Sequence, residues 1–151
     1  MSQKIINHQM IIDGKYTNSI TEKTIEIECP ANKRIFASVP RGNEADVDIA
    51  VKSSLKAFRS WSKVMPKERG RILLKIADAI EIEKEDIAKI IATETGNAIK
   101  TQARPEINLV VDIFRYFGGL SSELKGETIP LGEHVLSYTR REPLGVVGAI
   151  I

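Results

Sequence analysis

Residues 143–151, Pro-Leu-Gly-Val-Val-Gly-Ala-Ile-Ile, constrain the fold more than any other stretch of the chain. The run is apolar and rich in β-branched residues, carries no charge, and has no turn or polar tail after it. It reads as a strand buried on both faces, the kind found in parallel sheets. Such a strand needs neighbours on both edges and a crossover connection, usually a helix, to the next strand. The expectation is an incomplete α/β protein: the opening third or so of a larger fold, with the first strand of a Rossmann-like sheet at its end.

What precedes that run divides into β, helical and again β sections. Met10-Ile11-Ile12 leads into Asp13-Gly14, a hairpin-turn dipeptide, and then Lys15-Tyr16-Thr17. Thr24 to Glu28 alternates, with Ile25 and Ile27 on one face. Pro30-Ala31-Asn32-Lys33 makes a turn, and Arg34 to Val39 reads as the partner strand. From Asn43 the period becomes helical. Asn43 is a good N-cap, and Glu44 and Asp46 sit where the helix dipole favours acids.

Val47, Val51, Leu55, Phe58 and Trp61 define a stripe that should be buried. Pro66 suits the first position of a second helix, with Ile72, Leu73, Ile76, Ala77 and Ile80 as its stripe. A third helix carries Ile87, Ile90 and Ile91 and stops at Gly96. A fourth runs from about Thr101 to Leu124, started or kinked by Pro105. Its apolar residues, Ile107, Val110, Val111, Ile113, Phe114 and Phe117 among them, are too many for one face and predict cover on more than one side. Glu127–Pro130 and His134–Arg140, joined by Leu131-Gly132-Glu133, are extended and only partly apolar. They suit an exposed arm whose edge needs a partner.

The 22 basic and 20 acidic residues are spread along the chain without a block of like charge. This pattern argues against nucleic-acid and anionic-membrane binding. Met1–Met10 lacks the apolar core of a signal peptide, and no stretch approaches the roughly 20 apolar residues of a membrane span. A single cysteine precludes an internal disulfide. Cytoplasmic residence is the expectation.

Candidate chemistry is sparse. His8 and His134 lie far apart with no companion ligands, so they read as surface residues and no metal site is expected. Neither a Gly-x-Gly-x-x-Gly nor a Walker loop occurs; Gly145-Val146-Val147-Gly148 is a pair of glycines opening a strand. Cys29 sits between Glu28 and Pro30, where a carboxylate opposes thiolate formation and no local base is present, so it is not read as a nucleophile. Gly96 reads as a helix C-cap, and Glu94 and Glu106 as solvated charges. No catalytic residue is assigned.

The order of signals nevertheless resembles one family. Phe58-x-x-Trp61, Arg69-x-x-x-Leu73, Glu94-Thr95-Gly96 and Phe114-Arg115-Tyr116-Phe117-Gly118-Gly119 come in that order. Gly126-Glu127-Thr128-Ile129-Pro130 follows, and Arg141-Glu142-Pro143-Leu144-Gly145-Val146-Val147-Gly148-Ala149-Ile150-Ile151 closes the set. Together, from about Ile11 to Ile151, they resemble the N-terminal part of the NAD(P)-dependent aldehyde dehydrogenase superfamily. Gly96-Asn97-Ala98 departs from the Gly-Lys-Pro common in that family.

The resemblance implies an enzyme oxidising an aldehyde to a carboxylic acid with NAD or NADP. Its cysteine thiolate attacks the carbonyl, an asparagine holds the oxyanion, and a glutamate activates water. None of those three residues is in this chain, and Cys29 does not match the nucleophile's position. The chain alone is therefore expected to be inactive. Ile150 and Ile151 match the apolar pair lining the family's cofactor cleft, at the carboxyl end of a strand where α/β folds bind ligands; Ile150 reads equally as sheet core, and Ile151 reads as cleft. Some relatives hold a monovalent cation near the Glu94 position with carbonyls near Ile27 and Glu28.

The implied division is residues 1–123 for the N-terminal part of the cofactor domain, 124–142 for an oligomerisation arm, and 143–151 for the first sheet strand. Residues 126–140 would join subunits into a homodimer or homotetramer. An alternative is a non-catalytic assembly piece docking on full-length subunits. A second is a self-contained α+β binding module, which requires the last strand to pair within residues 10–39.

Overall fold

The computed structural model describes residues 5–151; the first four residues, part of the Met1–Met10 stretch read above as lacking signal-peptide features, lie outside the described residues. In chain order the elements are β1 (Ile6–Asn7), β2 (Met10–Ile12), β3 (Lys15–Thr17), β4 (Thr24–Cys29) and β5 (Arg34–Pro40). Next come α1 (Glu44–Trp61), α2 (Pro66–Thr95), a π-helical turn (Ile99–Ala103) and α3 (Arg104–Leu120), and last β6 (Thr128–Pro130) and β7 (Leu136–Tyr138).

The β section follows its turn chemistry. β2 and β3 pair antiparallel, Ile12 opposite Lys15. Asp13 and Gly14 both take left-handed φ, +54° and +71°, the two-residue turn whose twist matches a hairpin. β4 and β5 pair antiparallel with an irregularity between Ile27 and Glu28. Their link is closed by Asn32 N–H and Lys33 N–H donating to the Cys29 carbonyl. β1, which the sequence reading did not include, lies parallel to β5 with Ile6 opposite Ala37. At two residues it is too short to show alternation. The sheet order is β1-β5-β4.

α1 begins as its cap residues dictate. The Asn43 side chain accepts from Asp46 N–H at 3.0 Å, and the Asp46 carboxylate accepts from Asn43 N–H at 3.0 Å, a reciprocal capping box. α2 is one continuous helix of 30 residues, roughly 45 Å long at 1.5 Å per residue. The expected second and third helices are thus a single one, giving three α-helices rather than about four. The polar stretch 81–86, Glu-Ile-Glu-Lys-Glu-Asp, interrupts the apolar stripe but contains no Gly or Pro, so nothing stops the helix there. α2 ends where predicted, with Gly96 left-handed at φ +78°. Pro105 stands in the first turn of α3, just after the π turn, and α3 ends at Leu120 rather than near Leu124.

α2 and α3 form an antiparallel hairpin that contains most of the core. Ala88, Ala103 and Ile107 are buried together, with Ile80, Ile87, Ile91, Ala92 and Ile99 packed around them. At the other end the backbones nearly touch: a Cβ on Gly70 would lie 2.5 Å from the Gly118 carbonyl oxygen, and one on Gly118 would meet Leu74 at 3.0 Å. Arg104 reaches both carboxylate oxygens of Glu85 at 3.0 Å, and Arg115 spans Asp78 and Glu81. Arg104 donates from Nε alone to both oxygens, so these are shared, exposed ion pairs that lie along the helix pair and add little to it.

Several burial expectations need correction. Within α2, the expected stripe residues Ile72 and Ile90 are 41% and 58% exposed. The α1 stripe is largely uncovered, with Val47 61% and Leu55 50% exposed, because α1 meets the rest of the described chain mainly through β2 and the Asp46 cap. α3 is covered on one face only: Ile107 and Val111 are buried, while Leu109, Tyr116 and Phe117 are exposed. Residues 143–151 are irregular rather than a buried strand, and Leu144, Ile150 and Ile151 are fully exposed. A strand exists only where a neighbour supplies its backbone partners, and no described segment runs alongside this one. The run does not pair within residues 10–39, which removes the self-contained α+β module. β6 and β7 form an exposed antiparallel hairpin with Thr128 opposite Tyr138.

Candidate functional site

The chemistry-bearing residues singled out from the sequence are dispersed. Cys29 is buried at the end of β4, where its carbonyl closes the turn and Glu28 beside it pairs with Lys33 at 3.4 Å. His8 donates its N–H to Ser38, and His134 lies in the exposed hairpin link. Glu94 is exposed in the last turn of α2, whose Gly96 approaches Pro30 at the β4–β5 turn. Glu106 is exposed on α3. Among the described residues no group of three His, Cys, Asp or Glu side chains is placed to hold a metal ion, and no helix is long and apolar enough to cross a membrane.

Two features stand out at the opposite side of the helical hairpin. The first is the corner between α1 and α2. Ser62 N–H donates to Phe58 O, Lys63 N–H to Ser60 O and Val64 N–H to Trp61 O, which ends α1 in tight turns. Arg69, one turn into α2, donates through Nη1 to the Val64 carbonyl at 2.5 Å and clamps the corner. This gives a physical role to Arg69, which the sequence offered only as part of a motif.

The second feature is the segment Arg140–Pro143, which leaves the arm. Together the corner and this segment enclose a cleft of about 800 Å³. Phe58, Trp61, Met65 and Pro143 supply apolar surface, and Lys63, Arg69, Arg140 and Arg141 supply positive charge, with Glu142 paired to Arg140 at 3.3 Å. The cleft lining contains no thiol and no imidazole, and its one carboxylate, Glu142, is paired with Arg140. It leads into residues 143–151, so Ile150 and Ile151 lie beyond it on an unpaired strip.

A third feature is a polar cluster at Asp46, whose place at the helix start was legible in the sequence but whose bonds to Ser19 and Ile20 were not. Asp46 is buried, and its carboxylate accepts from Ser19 Oγ at 2.6 Å and Ile20 N–H at 2.9 Å as well as from Asn43 N–H. These donors hold its pKa below the ordinary aspartate range, the Ser19 hydroxyl contributing most, with burial opposing. The cluster pins the start of α1 to the loop after β3. Its job is positional.

The whole length from Tyr16 onward then finds its match. The model of the aldehyde dehydrogenase family covers residues 16–151. The chain belongs to the aldehyde dehydrogenase family. It is 40% identical over 143 residues to an aldehyde dehydrogenase of Aspergillus niger, covering 94% of this chain and 29% of that protein. It is 37% identical over 145 residues to aldehyde dehydrogenase 1 of Tanacetum cinerariifolium, covering 95% of this chain and 29% of that one. An NAD+ complex of the Bacillus cereus aldehyde dehydrogenase superposes with a TM-score of 0.87 at 34% identity, over 91% of this chain and 28% of that one. The chain thus spans 29% of the curated relatives' length, and its elements correspond to the N-terminal part of the aldehyde dehydrogenase fold.

Proposed function

We propose that this chain is the scaffold portion of an enzyme that oxidises an aldehyde to a carboxylic acid with NAD+ or NADP+. The observation that carries the reading is the match over residues 16–151, supported by the superposition on a relative solved with NAD+. In this reading residues 1–123 are part of the cofactor domain, residues 124–142 form an arm, and residues 143–151 become a strand once neighbours flank them. The arm's exposed hairpin edges favour pairing with a second subunit, giving a homodimer or homotetramer through residues 126–140. The lone cysteine suits the reducing cytoplasm.

Ile150 and Ile151 are proposed as one wall of the cofactor cleft. Two adjacent, fully exposed apolar side chains fit the flat faces of a dinucleotide's rings, which bind by apolar contact. A bound nicotinamide would supply the hydride acceptor for the oxidation, with Ile150 and Ile151 among the residues that would hold it. This chain's contribution is to bind and orient: the Asp46 cluster fixes α1, Arg69 fixes the corner, and the helical hairpin carries the strip toward the cofactor. The thiol, oxyanion donor and general base that the chemistry requires are not among these residues. Residues 1–151 alone are therefore expected to be silent.

The test compares NADH or NADPH formation from a panel of aldehydes by the protein carrying this chain and by residues 1–151 in isolation. Aldehyde-dependent reduction by the former and none by the latter supports the proposal. Turnover by the isolated chain sinks the scaffold assignment, and no reduction by the complete protein with any aldehyde sinks the activity. The exposed arm and α1 face also favour the alternative of an assembly piece that docks on intact subunits. Capture of the complete enzyme by the isolated chain, with loss of capture when residues 126–140 are deleted, would support that alternative.

A further inference from the structure

We draw no further inference here: the strongest candidate, the cationic cleft of about 800 Å³ between the α1–α2 corner and Arg140–Pro143 with the uncovered apolar face of α1, carries nothing because nothing in the structure shows what covers it.

Discussion

Substituting Gly70 by Ala should cost stability, although alanine is the better helix former. Gly70 lies in α2 where α3 crosses, and an added Cβ would sit 2.5 Å from the Gly118 carbonyl oxygen and 2.2 Å from Ser121 Oγ. The hydroxyl can rotate away, but the carbonyl belongs to the α3 backbone. Ordinary contact begins near 3.4 Å, so the helices must separate locally by about 0.9 Å or tilt. Overpacking of this kind costs typically ~1–3 kcal/mol, and a clash with backbone belongs in the upper part of that range. The gain in helix propensity returns ~1 kcal/mol. The net expectation is a loss of about 1–2 kcal/mol.

Gly119→Ala is the matched control, since a Cβ there meets nothing within 4 Å. It keeps only the propensity term, a gain of at most ~1 kcal/mol. Urea unfolding of the two variants and the parent, followed by far-UV circular dichroism, reads both effects at once. Gly70→Ala should shift the midpoint down and Gly119→Ala should leave it level or raise it. Equal midpoints for the two variants, or a more stable Gly70→Ala, would refute the close helix crossing as the reason for glycine at this position.

Other outcomes follow from the same geometry. Asp46 has a folded-state pKa below its unfolded value, so its contribution is present above the unfolded value of about 3.9 and disappears as pH falls through the folded one. The parent should lose more stability than Asp46→Asn on acidification below about pH 4, and parallel denaturation curves for the two across that window would show that the Ser19–Asp46 lock contributes nothing. Gly126→Ala places a Cβ against the Thr139 carbonyl at the base of the arm, so it should weaken subunit association in light scattering while leaving helix content intact. An unchanged particle mass would argue against the arm as the joining element. Ile151→Glu in the complete protein should raise the KM for the dinucleotide at least about tenfold, the equivalent of ~1.4 kcal/mol of lost binding, with little change in the KM for aldehyde. Equal effects on both, or none, would remove Ile151 from the cofactor wall.

Local signals in the sequence were read well because their physics is local. Asp13-Gly14 needs only its own φ preferences to make a hairpin. Asn43 and Asp46 satisfy each other across one helical turn, and Gly96 stops α2 by adopting a conformation that costs it no Cβ clash. The division of α2 into two helices failed for a related reason. A gap in an apolar stripe reports that nothing packs on that stretch, which differs from a break in the backbone hydrogen-bond ladder. The Ser19–Asp46 bond joins positions 27 apart, and no local pattern marks a hydroxyl for such a partner. The cofactor strip was named through its motif; what its side chains face is set by distant segments.

The burial errors share one cause. Periodicity in Val47, Val51 and Leu55, in the outer residues of α3, and in residues 143–151 states how much apolar surface must leave water in the folded protein. It does not state which part of the protein covers that surface. The three regions are exposed together, in a chain that spans 29% of its curated relatives. The exposed stripes fit the reading proposed above, in which further parts of the aldehyde dehydrogenase fold cover them. The α2–α3 pair, whose partners lie within residues 5–124, does bury a core around Ala88, Ala103 and Ile107, although Ile72 and Ile90 of the expected stripes stay exposed. Residues 143–151 carry an equally strong apolar signal and form no strand, because a strand requires hydrogen-bonding neighbours that a helix supplies for itself.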